Sequence, residues 1–391
     1  MVEAMESTFL GAELLAELAA RAGEYDRGNH FCEADIKQLQ DAGYLAAAVP
    51  HRYGGGGLSL AALMREQRRL AQAAPATALA VNMHQVWVMV AALLATETPE
   101  AAPTWLLKDA AAGEIFAFGI SEPGNDKVLF DSRSTAIPTA AGYEISGTKI
   151  FTTLSPVWSR LGVHAKTAAG KLIFGFVRRE GTQPRKPEQA SVGLSGGSIT
   201  HPDEWNQLGM RATHSYTTHL EAVPVAAADV VTECDPFDFA NPLTAAVFSS
   251  FSLLTASVYL GIADRALQLA TTALQQQRER AGALPPALTA ALVAAELRLR
   301  AAAAALELRA IDVESGRTAA DHFLAVGAAK LEVCDMARET VATAIRITGA
   351  KAYHADHELA RLWRDVLAGM FHPTSFVALT DSVAAALGLS E

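Results

Sequence analysis

The hydrophobic period of this chain changes twice, and that alternation constrains the fold more than any other property. Between residues 1 and 115, apolar residues recur at spacings of three and four. The stretches are "FLGAELLAELAARAGEYD", "EADIKQLQDAGYLAAAV", "LSLAALMREQRRLAQAA" and "TALAVNMHQVWVMVAALLAT", and this is the spacing of amphipathic helices. The glycine run 53–57 ends one helical region and lets the chain turn. From 116 to 235 the text becomes short, β-branched and aromatic: "YEISGTKIF", "SRLGVHAKT", "KLIFGFVRR" and "SYTTHLEAV", separated by Gly, Pro, Asn and Asp. That is strand-and-turn chemistry, read as a small antiparallel barrel or sandwich. From 236 to 391 the helical period returns in stretches close to thirty residues long, which predicts a four-helix bundle. Pro285-Pro286 suits a helix start, and the alanine run 301–305 is read as a tight helix-packing surface. The fold class is therefore α+β, mainly α, in three domains: 1–115, 116–235 and 236–391.

Charge and cysteine usage narrow the partners. A net charge of −10 over 391 residues, with no Lys/Arg block, argues against nucleic acid. Cys32, Cys234 and Cys334 lie far apart, without metal-ligand spacing, as in a reducing compartment. The opening "MVEAMESTFL" is acidic where a signal peptide is basic. The apolar run 78–95 contains Asn82, His84 and Gln85, so it is read as a buried helix rather than a membrane span. The expectation is a cytoplasmic protein with no metal and no membrane.

Four motifs carry chemistry: "FGISEPGND" (118–126), "GYEISGTKIFTT" (142–153), "WNQLGMRATHS" (205–215) and "RLWRD" (361–365). In this order the chain resembles the acyl-CoA dehydrogenase family over essentially its whole length. The resemblance implies FAD, with FMN as the alternative, held between the β domain and the bundle. It also implies a homotetramer or homodimer whose flavin sites are completed by a neighbouring subunit. Ser121 matches the Ser/Thr that contacts the pyrimidine end of the flavin. Phe151 and Thr153 match the aromatic ring and hydroxyl that flank the isoalloxazine, with Thr152 between them. A flavin needs an apolar wall on one face and a few donors at its polar edge. Arg278 matches the arginine that meets a neighbour's pyrophosphate, a role suited to guanidinium, although the family's phenylalanine after it is Ala281 here. Its other reading is a solvated helix face. Of the glycine-rich adenosine cradle, "RITGAKAY" (346–353) keeps Gly349 and Tyr353. Thr374 completes the implied cofactor set.

The catalytic carboxylate is where the sequence departs from the family. "FHPT" (371–374) puts His372 at one of the family's two glutamate positions, and Phe251 stands at the other. The first expectation is α,β-dehydrogenation of an acyl thioester, with His372 as base and an electron-transfer flavoprotein as partner. The alternative is a two-component monooxygenase that receives reduced flavin from a flavin reductase and reacts it with oxygen in a dry, histidine-lined pocket. A third is a catalytically silent scaffold. His84, Asn125, Trp158, Phe251 and Arg364 are the expected pocket residues, with core packing the competing reading for His84 and Trp158.

Overall fold

The computed structural model describes residues 9–99, 102–179, 196–316 and 322–373, together with 379, 380, 383, 384 and 389. The residues that punctuate the sequence set the ends of its elements. After α1 (Ala12–Gly28) and α2 (Glu33–Asp41), Ser59 caps α3 (Leu60–Ala73) by accepting from the Ala62 amide at 3.3 Å. Proline occupies the first position of α4 (Pro75–Glu97), and α5 (Thr104–Ala111) closes the helical lead.

Among the described residues eight strands follow: β1 (Phe116–Gly119), β2 (Thr135–Thr139), β3 (Gly142–Thr152), β4 (Arg160–Thr167), β5 (Leu172–Arg178), β6 (Ser198–Thr200), β7 (Tyr216–Ala226) and β8 (Val230–Cys234). They form one sheet in the order β6-β7-β3-β2-β4-β5-β8, with β1 added against β4. The expected antiparallel pairing holds except at two places, where β1 and β2 each run parallel to β4. Parallel pairing needs a long connection rather than a tight turn, and no turn motif announces it.

The chain ends in α6 (Pro242–Ala281), α7 (Pro286–Glu314), α8 (His322–Thr348) and the short α9 (Glu358–Val366). Asn241 caps α6 by accepting from the Leu243 and Thr244 amides at 3.0 and 3.4 Å, and Gly282 ends it at φ 74°. α6 is the hub: α3 and α4 pack on it from the N-terminal side, α7 and α8 from the C-terminal side. α4 and α6 are long and apolar enough to cross a membrane by composition alone, but both are packed inside the fold.

Two glycines let the layers approach. A Cβ on Gly162 of β4 would lie 2.5 Å from the Trp87 ring of α4, and one on Gly209 would lie 2.2 Å from the Arg364 carbonyl oxygen of α9. Neither contact leaves room for any other residue.

Candidate functional site

The "SEPG" turn after β1 is held by an anchor that the sequence disguises as a loop. The Glu122 carboxylate is buried. Its Oε1 accepts from Lys149 Nζ at 2.6 Å, Ser134 Oγ at 2.6 Å, Ser132 Oγ at 2.7 Å and the Ser134 amide at 3.1 Å. Its Oε2 accepts from the Arg133 amide at 2.7 Å and Asn125 Nδ2 at 2.9 Å. Burial alone would raise its pKa, but the Lys149 charge and these donors hold it well below the ordinary carboxylate range. Lys149 is pushed down to about 8 by burial, against the pull of Glu122. It also donates to the His164 carbonyl at 2.7 Å and sits 3.1 Å from His164 Nδ1. Burial, reinforced by the Lys149 charge, lowers His164 to about 3, so its ring is neutral and Nε2 donates to the Val128 carbonyl at 2.5 Å.

This network fixes Ser121 beside the end of β3, where the Ile150 amide donates to the Ser121 carbonyl at 2.9 Å. The β3–β7 register slips between Lys149 and Thr152. That irregularity puts Phe151 at φ 54° with its ring 51% exposed. A bulky residue there is strained, and bulges are a recurrent means of re-aiming side chains beside active sites. Thr152 Oγ1 is buried without a partner. Thr153 Oγ1 lies 2.7 Å from Ser215 Oγ, which lies 2.8 Å from Thr213 Oγ1. An exposed aromatic wall beside a buried, unsatisfied hydroxyl fits a planar ring with polar edge atoms.

A second wall is aromatic. Trp87 packs on Phe118 at 5.2 Å between ring centroids, Phe118 stacks on Phe251 at 5.3 Å, and Phe251 meets His372 edge-on at 6.2 Å. Phe118 lies on β1 three residues before Ser121, whose carbonyl is bonded to the β3 strand that carries Phe151. His372 is half-buried and tied at both ends. Its Nε2 lies 2.7 Å from the Tyr259 hydroxyl, and its carbonyl accepts from Lys330 Nζ at 2.8 Å. Burial, then the Lys330 charge, lowers the imidazole to about 3, while burial raises Tyr259 well above its usual value. Tyr259 is thus a neutral phenol hydrogen-bonded to Nε2 of a neutral ring. Nδ1 has no protein partner among the described residues.

Other expected site residues lie elsewhere. His84 is sealed in the core: Nε2 meets the Leu45 carbonyl at 2.8 Å and Nδ1 accepts from the Phe116 amide at 3.1 Å. It joins three elements and lines no pocket. Arg364 donates to Asp26 and to the Ala360 carbonyl at 3.1 Å, tying α9 to α1 instead of facing a substrate. Asn125 braces its own loop through Glu122 and the Asp131 carbonyl at 3.0 Å. Trp158 is buried under the Arg179 guanidinium, 4.2 Å from its ring, with Nε1 unpartnered. Arg278 is exposed near the end of α6, roughly 40 Å along the helix from Phe251, beyond reach of its own chain's site. Gly349 adopts φ 75° in the turn after α8, with open space around it. Thr374 lies outside the described residues. Residue spacing gave no sign of Tyr259 or Lys330, whereas Glu122 and Lys149 stood inside motifs already singled out.

Comparison with known proteins supplies the class. Residues 12–114 match the acyl-CoA dehydrogenase N-terminal domain and residues 253–375 the C-terminal domain. The chain belongs to the acyl-CoA dehydrogenase superfamily and is a flavin-dependent oxidoreductase. Within it, the chain is 29% identical to L-evernosamine nitrososynthase of a Micromonospora species, over 97% of this chain and 89% of that protein. It is 26% identical to dibenzothiophene monooxygenase of Rhodococcus qingshengii, over 91% of this chain and 87% of the relative. The solved structure of KijD3 in complex with FMN and an amino-keto dTDP-sugar superposes with a TM-score of 0.80 at 26% identity, covering 97% of this chain and 92% of that one.

These relatives overturn the expected acyl-thioester dehydrogenation, and the geometry gives the reason. Abstraction of an α-proton requires a base poised near the working pH. The family's two carboxylate positions hold Phe251 and His372, so neither offers a carboxylate, and burial with the Lys330 charge lowers the imidazole below its ordinary value.

Proposed function

We propose that this protein is the oxygenating component of a two-component flavin monooxygenase. It takes reduced FMN from a separate flavin reductase and places one atom of O2 on a small substrate, the other leaving as water. The observation that carries the reading is the wall formed by Phe118, Phe251 and a neutral His372 where a dehydrogenase needs a carboxylate. FMN is favoured over FAD because KijD3 was solved with FMN. The three cysteines are all free, in keeping with a cytoplasmic site of action.

Reduced FMN, when bound, supplies two electrons to oxygen. The chain's own residues do the rest. Phe151 would cover one face of the ring, and the Thr152 hydroxyl and Ser121 would meet its polar edge. Phe118 and Phe251 exclude water, which strengthens every polar contact inside the cleft. His372, its ring positioned by Tyr259, would hold the reacting oxygen by a hydrogen bond. A nucleophilic nitrogen or sulfur is the favoured substrate atom, since the relatives' names speak of an amino sugar and a sulfur heterocycle.

The test is oxygen-18 labelling. The protein, an FMN reductase, NADH and 18O2 are incubated with a panel of amino sugars, aromatic thioethers and indoles, and products are read by mass spectrometry. A product two mass units heavier, formed only with reductase present, supports the reading. Absence of label across the panel, together with anaerobic bleaching of the flavin by an acyl-CoA, would refute it.

A further inference from the structure

The motif "RLWRD" ends on an acid that the cleft does not touch. Asp365 of α9 is 1% exposed, and Asp26 of α1 is 8% exposed. Both line a cavity of about 10 Å3 with Thr77, Arg211, Ala212 and Arg361, room for about one water. Each acid has one oxygen engaged. Asp365 Oδ1 accepts from the Met210 amide at 2.6 Å, and Asp26 Oδ2 accepts from Arg364. Asp365 Oδ2 and Asp26 Oδ1 are buried with no hydrogen-bond partner among the described residues. Arg361 stands 3.9 Å from Asp365 Oδ2 and 3.6 Å from a Glu358 oxygen, both too long for hydrogen bonds.

The groups facing Asp365 come from every element around it. α9 supplies Arg361 and Arg364, and α1 supplies Asp26 and Tyr25. α4 supplies Thr77, whose hydroxyl donates to Asp35 at 2.7 Å, and the turn Arg211–Thr213 supplies Arg211, which donates to the Asp26 carbonyl at 2.8 Å. Burial raises Asp365 to about 6 against the pull of Arg361 and the Met210 amide, and the Asp26 charge adds to the rise. The acid is therefore neutral below that pH and ionised above it.

Its charge bears on the flavin cleft through a strained turn. Met210 at φ 50° and His214 at φ 40° flank Arg211–Thr213 in left-handed backbone. Non-glycine residues stay there only where their neighbours hold them. The Thr213 amide donates to the Met210 carbonyl at 3.1 Å. Beyond the turn runs the hydroxyl chain from Thr213 through Ser215 to Thr153. An ionised carboxylate holds a backbone N–H about twice as firmly as a neutral acid does.

We propose, on the flavin reading of the cleft, that Asp365 is a proton-sensing positioning residue facing Asp26 across this cavity. Ionised, it seats the Met210 turn and with it Thr153 against the flavin. Protonated, it loosens both.

FMN titrations from about pH 5 to about pH 8, in wild type and Asp365→Asn, test it. Asparagine keeps the shape of the neutral acid, and the ratio of the two dissociation constants cancels the titration of FMN's own phosphate. That ratio is expected near one at the acid end and about fivefold in favour of wild type at the alkaline end. Asp26→Asn removes the facing charge and is expected to move the acid-side loss of affinity to lower pH. A ratio that does not change with pH overturns the proposal and leaves the flavin reading standing. So does an Asp26→Asn profile with its midpoint at or above that of wild type. A wild type that binds no FMN at any pH overturns the flavin reading and the proposal with it. The Asp26→Asn profile keeps the test decisive if Asp365→Asn does not fold.

Discussion

Replacing Glu122 by Gln gives the sharpest test of the site's construction, because every consequence can be counted. The carboxylate accepts from six donors, and an amide must turn one NH2 toward some of them. If the NH2 replaces Oε1 it faces the Ser134 amide and Lys149; if it replaces Oε2 it faces the Arg133 amide. Either way one buried backbone N–H loses its acceptor, at about 1–3 kcal/mol. Lys149 also loses its counter-charge, and breaking a buried pair from one side costs about 3–5 kcal/mol. Lys149 can escape by releasing its proton. Relative to an ordinary lysine at pH 7 that escape costs about 4.6 kcal/mol, from 1.36 kcal/mol per unit, which caps the ionic part. The expected loss is therefore about 4–8 kcal/mol in urea unfolding followed by circular dichroism. It should be nearly independent of salt, because buried pairs are screened little. Glu122→Gln/Lys149→Met should recover at least about 2 kcal/mol, since an apolar replacement of both partners removes the stranded charge. FMN affinity should fall in the single variant, because the turn that carries Ser121 loosens. The sign with pH is fixed: Glu122 lies below its unfolded value, so the wild-type advantage is complete above about pH 5 and shrinks below about pH 4.3. A loss under 1 kcal/mol, or a loss that grows in acid, would refute the reasoning.

Other outcomes follow from the same geometry. Tyr259→Phe should lower oxygenated product about tenfold while leaving FMN affinity within twofold, because one hydrogen bond positions the His372 ring; isotope-labelled product yield and a flavin titration check both halves. His372→Ala should reduce product about tenfold, the loss of one hydrogen bond to the reacting oxygen, and His372→Glu should not confer anaerobic reduction of the flavin by acyl-CoA. Gly162→Ala should lower the melting temperature by several degrees or prevent folding, since its new methyl meets Trp87 at 2.5 Å, and a thermal scan reads it directly. Stability should fall as pH drops from about 6.5 toward 4. His84, His164 and His372 are held at about 4, 3 and 3, so the unfolded chain takes up protons there that the native chain refuses.

Periodicity was enough to separate the three zones, because each element buries one face against α6 or the sheet and so repeats its own period. What periodicity cannot carry is partner choice. His84 and His372 both stand on apolar stretches, yet one is locked between Leu45 and Phe116 and the other meets Phe251 and the Tyr259 hydroxyl. Only the chain's return path distinguishes them. Arg364 looked like a site residue because its motif is charged and aromatic, whereas its charge serves to hold α1 through Asp26. Glu122 looked like a turn residue, since nothing local reveals that Lys149 and two serines converge on it from 10 to 27 residues away. The parallel pairings of β1 and β2 with β4 are likewise long-range facts. Phe151 and Ser121 were legible because they sit in contiguous motifs, where the bulge and the turn are written in a few residues.

The central claim is that this cleft receives reduced FMN and brings it to oxygen in a dry, carboxylate-free pocket. Stopped-flow absorbance after mixing the protein and reduced FMN with oxygenated buffer tests it most directly. The account predicts flavin reoxidation kinetics clearly distinct from those of free reduced FMN, with hydrogen peroxide release delayed and then diminished when substrate is present. Reoxidation identical to free FMN would contradict it, with or without protein in excess.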